Sequence, residues 1–186
     1  MNLPNLIGRA ATRASDLVAE IGKVDFDAPS TCADFDQRAL ANHLTGFLPY
    51  AANAARRGPA MEGESPDFAA SPEWVAEFSA MAADTAAAWA EPGAMDGSVQ
   101  FGRGEMPAAN AASITLMELT IHAWDLARST GHDFSTDPDI AEAVKNIVSK
   151  AVEGGGGEFF GPPVETDSAD TLDQANALSG RDPAAS

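Results

Sequence analysis

Apolar residues return at helical spacing through most of the chain. Leu6, Ala10, Leu17 and Ile21 mark one face of a helix over residues 5–22, with Gly22 at its end. A second helix runs from about Asp36, a good N-cap residue, to about Arg57. Pro49 lies inside it and is expected to kink or break it, because proline lacks the backbone donor and crowds the preceding turn. Ser71-Pro72-Glu73 opens a third helix with a cap, a proline at the first helical position and an acid in the first turn; it reaches about Trp89 and ends before Pro92. The stretch "DGSVQFGRGEMP" (96–107) alternates like a short hairpin with glycine turns. A fourth helix follows from about Ala108 to Thr130, a fifth from the Asp137-Pro138 cap to about Val152, and a short sixth around Thr171–Leu178. Between them lie a turn-rich "DFDAPSTCADFD", a long loop "RRGPAMEGESPDFAAS" and a flexible-looking "EGGGGEFFGPP". Helices joined by loops predict an all-α four-helix bundle with additions.

A chain of 186 residues is long enough for one domain with a single sizeable core, so residues 1–186 are read as one unit whose tail, from about 154, is partly irregular. No apolar run approaches the ~18 residues that a membrane span needs. The N-terminus has no apolar signal-peptide core, so a cytoplasmic location without membrane attachment is expected. The formal net charge is −17, and the only lysines are Lys23, Lys145 and Lys150. That balance argues against nucleic acid as a partner. A single cysteine, Cys32, rules out an internal disulfide and an all-cysteine metal site.

The fourth helix carries chemistry. With Ile114 at 0° and about 100° per residue, Asp125 falls near 20°, Glu118 near 40° and His122 near 80°, while Thr120 and Arg128 fall near 240° on what reads as the solvent face. Glu118, His122 and Asp125 therefore point into the bundle. Buried polar groups need partners. Glu118 and His122, at i and i+4, either satisfy each other as a hydrogen-bonded pair or converge on one metal ion. On the second helix the apolar stripe is Leu40, Leu44, Phe47 and Leu48, with Arg38, Asn42 and Thr45 opposite it; His43 lies at the inward edge of the stripe. His43, Glu118 and His122 would form a three-ligand site of the open kind that zinc enzymes use. Histidine protonation would weaken it below about pH 6. Asp125 would either orient a ligand histidine or make a salt bridge or packing contact. His132, beyond the helix-ending Gly131, reads as a loop residue, and Cys32 as a packing residue.

These residues also carry a resemblance. "STCADFDQRALANHLTGF" resembles the T-P-C-x-x-W-x-V-R-x-L-x-x-H-L segment of the mycothiol-dependent maleylpyruvate isomerase N-terminal, DinB-like superfamily, and "MELTIHAWDLARSTG" resembles its E-x-x-x-H-x-W-D-L-A-x-A-T-G segment. The closing "FFGPPVETDSADTLDQANALSGRDP" looks like the tail of one actinobacterial metal-binding subgroup. Phe35 stands where the family has tryptophan, and Gln37 where it has a hydrophobic residue. The resemblance implies a DinB-like up-down-down-up four-helix bundle, here with a short β segment and extra C-terminal helices. It also implies a divalent metal, typically zinc, at one end of the bundle on His43, Glu118 and His122. In the better-known relatives that metal activates a low-molecular-weight thiol such as mycothiol. The isomerase itself has a second, substrate-binding domain that a chain of this length is not expected to include, so maleylpyruvate isomerisation is not the expected reaction.

The expected function is a metal-dependent transferase or isomerase working with mycothiol or a similar thiol on a small electrophile. Asp125 or Arg128 would orient ligands or substrate beside a mouth lined by Phe47, Tyr50 and Ile121. A non-catalytic metal or small-ligand binder and a hydrolase using bound water are the rivals, and whether the protein forms a homodimer stays open.

Overall fold

The computed structural model describes residues 2–22, 28–32, 35–61, 65–102, 104–155 and 160–185. The helices are α1 (Leu3–Ile21), α2 (Gln37–Ala55), α3 (Trp74–Ala90), α4 (Ala108–Ser129), α5 (Pro138–Glu153) and α6 (Thr171–Leu178), with a 3-10 turn at Phe68–Ala70 and an antiparallel hairpin of β1 (Ser98–Phe101) and β2 (Gly104–Pro107). The helices fall within two or three residues of their sequence expectation. The glycine-rich residues 156–159, and Arg103 inside the hairpin, lie outside the described residues.

Local chemistry sets the helix ends. Asn2 accepts a hydrogen bond from the Asn5 N–H, so α1 begins earlier than its apolar pattern implies. Asp36 caps α2 through the Ala39 N–H at 2.7 Å. Ser71 caps a single turn, accepting from the Glu73 N–H at 3.2 Å, and α3 starts only at Trp74. Of the kink or break expected at Pro49, the break does not occur: α2 is helical throughout 37–55.

α1 and α2 each pack against both α3 and α4, so the order around the bundle is α1–α3–α2–α4. α2 and α3 run the same way: the Trp74 indole, at the start of α3, donates to Thr45 Oγ1 at the middle of α2, and Arg56, just past the end of α2, bridges Asp84 and Glu91 further along α3. α4 runs against α2, because the Gln37 amide donates to the Ser129 carbonyl. This is an all-α, DinB-like bundle carrying a short hairpin and extra C-terminal helices. α5 packs on α4, and α6 packs on α5. Among the described residues, no helix is long and apolar enough to cross a membrane.

Two wheel assignments are corrected by this packing. Thr120, read as solvent-facing, is buried and donates to the Leu116 carbonyl at 2.8 Å. Thr45, read as lying on the far side of α2, is buried against Trp74 of α3. A helix packed on two or more sides has no single dry face, and threonine hides its hydroxyl by bonding to the carbonyl one turn back.

Candidate metal centre

The start of α2 is tied to the end of α4. Gln37 reaches the Ser129 carbonyl, the Thr31 N–H donates to Ser129 Oγ at 2.9 Å, and the Thr31 hydroxyl donates to the Asp125 carbonyl at 3.2 Å. From that anchor His43 lies six residues along α2 and His122 seven residues back along α4, about 9 Å and about 10.5 Å of helix rise. The two histidines therefore come level, and Glu118 lies one turn from His122.

The polar groups converge. His43 Nε2 lies 3.0 Å from Glu118 Oε2, and His122 Nε2 lies 3.3 Å from the same oxygen. The three ligand atoms fall within 4.8 Å of one another. Side-chain exposure is 34% for His43 but only 16% for Glu118 and 12% for His122, so the cluster opens on the His43 side. There it meets a groove of about 590 Å³ whose wall includes Asn42, His43, Phe47, Tyr50, Met61 and Phe68. The Phe35 ring stacks on His43 with centroids 5.0 Å apart and meets His122 edge-on at 6.2 Å. Phe101 of β1 packs on Tyr50 and Phe47, which steadies the other end of the aromatic row.

Behind the cluster, His122 Nδ1 lies 3.0 Å from Asp125 Oδ2. Asp125 is fully buried and is held by Arg181 from the tail, with Nε on Oδ1 and a terminal nitrogen on Oδ2, both at 2.7 Å. Burial opposes charge on His122, yet hydrogen bonds from its ring to Asp125 and Glu118 prevail and raise it to about 9. Burial also opposes ionisation of Glu118, but His122 and His43 together hold its carboxyl well below the usual range. Asp125 is likewise lowered against burial, by His122 and Arg181. The groups of the cluster satisfy one another, and the two carboxylates around His122 favour its protonated form.

The geometry also suits a metal. Zinc bonds of about 2.0–2.1 Å in a tetrahedron place neighbouring donor atoms roughly 3.3 Å apart, which matches both nitrogen–oxygen separations to Glu118. A second grouping of Cys32, His122 and Asp125 lies within the same spacing. It is the poorer candidate, because both Asp125 oxygens already accept from Arg181 and a cation there would face that guanidinium. Cys32 is buried, as expected of a packing residue, with its sulfur 3.9 Å from an Arg181 nitrogen.

Other sequence assignments fare differently. Asp125 makes a salt bridge, to Arg181, and its other contact is with His122 Nδ1 at 3.0 Å. Arg128 points elsewhere: it donates to the carbonyls of Pro183 and Ala185 and lies over the Trp124 ring. Ile121 is buried in the core; of the three expected mouth residues, Phe47 and Tyr50 line the groove. His132 bonds to Thr130, off the cluster. The two residues that sequence reasoning missed are Phe35 and Arg181. A buried Asp125 signals the need for a cation, but no periodicity points to one in the tail.

A sequence profile for the mycothiol maleylpyruvate isomerase N-terminal domain matches residues 7–127. Two proteins of Mycobacterium tuberculosis, the uncharacterized proteins Rv0738 of strain H37Rv and MT0763 of strain CDC 1551, are each 27% identical over 155 residues, covering 81% of this chain and 82% of theirs. No solved structure matches significantly.

Proposed function

The chain belongs to the mycothiol maleylpyruvate isomerase N-terminal domain family, and on that footing we propose that it binds one divalent metal, zinc by its donor set, through His43, Glu118 and His122 and works as a thiol-dependent transferase or isomerase. The observation that carries this reading is the approach of two imidazole nitrogens to one carboxylate oxygen at metal-site spacing beside a groove. Such a metal supplies a Lewis acid that keeps a thiol such as mycothiol ionised near neutral pH, where a free thiol with a pKa of about 8.5 is mostly protonated. The chain's own residues do the rest. Asp125 orients His122, Phe35 braces the His43 ring, and Phe47, Tyr50 and Phe68 form an aromatic wall that receives the electrophile next to His43. Cys32, beside Arg181 rather than on the groove, is not needed as a nucleophile.

Cobalt substitution tests the proposal. Mycothiol added to the cobalt protein is expected to produce a thiolate-to-cobalt charge-transfer band in the near ultraviolet, unchanged in Cys32→Ser. A cobalt protein that shows no band at saturating thiol overturns thiol chemistry and favours water activation or simple ligand binding.

A further inference from the structure

The family match ends at residue 127, yet the cluster does not. We infer that Arg181, supplied by the C-terminal tail, is a positioning residue of the metal centre that locks Asp125 so that His122 presents Nε2 towards Glu118. The inference rests on the reading that His122 is a ligand.

The geometry of Asp125 leaves it little freedom. It is fully buried, so water cannot serve its oxygens. The Arg181 fork makes two 2.7 Å bonds to it, one on each oxygen, and such a bidentate pair fixes the plane of the carboxylate as well as its charge. The oxygen facing His122 is then held 3.0 Å from Nδ1. A carboxylate on the far nitrogen of a ligand histidine sets its tautomer and ring orientation. Arg181 has side-chain exposure of 12% and is itself steadied by a 3.0 Å bond from its other terminal nitrogen to Ser179 Oγ.

The tail is built to aim this side chain. α6 ends in a Schellman motif: the Gly180 N–H bonds to the Ala177 carbonyl at 3.1 Å and the Arg181 N–H to the Asn176 carbonyl at 3.0 Å. Gly180 has φ of +88°, which reverses the chain and turns residue 181 back towards α4. Asp170 caps the other end of α6 through the N–H groups of Leu172 and Asp173. Leu172 joins Trp124 and Ala141 in a small apolar cluster that seats the helix over α4 and α5.

Zinc affinity of the full chain, measured by competition with a chromophoric chelator, tests the role. Arg181→Met is expected to weaken binding about 10–100-fold, the usual cost of losing such an outer partner. Arg181→Lys, with the charge but not the fork, should fall between. A purely structural clasp would alter thermal stability without obeying a binding cycle, so the decisive variant is the pair Arg181→Met with Asp125→Asn. If Arg181 acts through Asp125, the double variant binds zinc no more weakly than Asp125→Asn alone. Zinc affinity in folded Arg181→Met within twofold of the original protein, or additive losses in the pair, overturns the inference. Should Arg181→Met not fold, Arg181→Lys carries the same cycle. Failure of the unaltered protein to bind zinc removes the metal reading instead. The lock that Arg181 places on Asp125 and His122 is then tested by itself, by proton NMR of the His122 Nδ1–H: a downfield, slowly exchanging signal lost in the Arg181 variant supports the lock, and one that persists overturns it.

Discussion

Glu118 of α4 and His43 of α2 meet across the helix seam with Oε2 and Nε2 3.0 Å apart, although 75 residues separate them in the chain. The contact depends on register: the ties from Thr31 and Gln37 to the end of α4 bring the two residues level. It also makes the proposed site sensitive to either side chain alone.

About one zinc ion per chain is expected after purification without added metal. His43→Ala and His122→Ala should each reduce it to background by elemental analysis, with far-ultraviolet circular dichroism largely unchanged, because neither ring belongs to the apolar core. Retention of full metal in both variants would remove the site.

The pH dependence should be shifted upward from that of ordinary histidine ligands. His122 is raised to about 9 without metal, so a metal must displace its proton throughout the neutral range. Apparent zinc affinity is expected to climb until about pH 9, rather than to level off just above pH 6 as histidines with ordinary pKa values would dictate. Stability of the metal-free protein has the opposite sense. Because the folded pKa of His122 lies above its unfolded value of about 6.5, its contribution is complete below about pH 6.5 and is lost as pH rises towards about 9. Glu118, whose folded pKa is depressed, contributes above its ordinary range, and that contribution fades as pH falls below it. Denaturant midpoints of the zinc-free protein from about pH 2 to about pH 10 check both arms, the acid end for Glu118 and the alkaline end for His122.

Gly180→Ala should disturb the centre without touching it. A Cβ at this position would lie 2.6 Å from the Gly161 Cα, and φ of +88° is unfavourable for alanine. The left-handed backbone alone costs about 1–2 kcal/mol, and the clash adds to it. Lower thermal stability together with weakened zinc binding is the expected result. Unaltered zinc binding in a destabilised variant would mean that the tail and the cluster are uncoupled.

Double-stranded DNA and RNA should not bind at near-physiological salt. With a net charge of −17, the field of the whole chain opposes phosphate. Gel shift or fluorescence anisotropy with labelled duplexes reads this directly; salt-sensitive binding would contradict it.

Much of this molecule can be read from its residues in order. Helix periodicity and capping chemistry act over three or four residues, so α1 to α6 fall close to where their patterns place them. The i, i+4 spacing puts Glu118 and His122 on one face whatever the fold. His43 is legible as an inward residue on its own helix. What periodicity could not supply was the set of neighbours. Thr45 and Thr120 were misjudged because a wheel assumes one solvent side, and both helices are covered on more than one. Pro49 invites a kink or a break in α2, and the helix runs through it unbroken.

The chain's local patterns thus settle the elements and the inward side of Glu118, His122 and Asp125, because those depend on dihedral preference and on burial of apolar stripes. Which groups touch was decided only by the folded structure. Glu118 receives His43 because antiparallel packing sets the register of α2 on α4. Asp125 receives Arg181 across 56 residues because a glycine-reversed helix end turns one arginine inward. The energy of a buried carboxylate depends on who is within 3 Å of it, and that is a property of the assembled bundle.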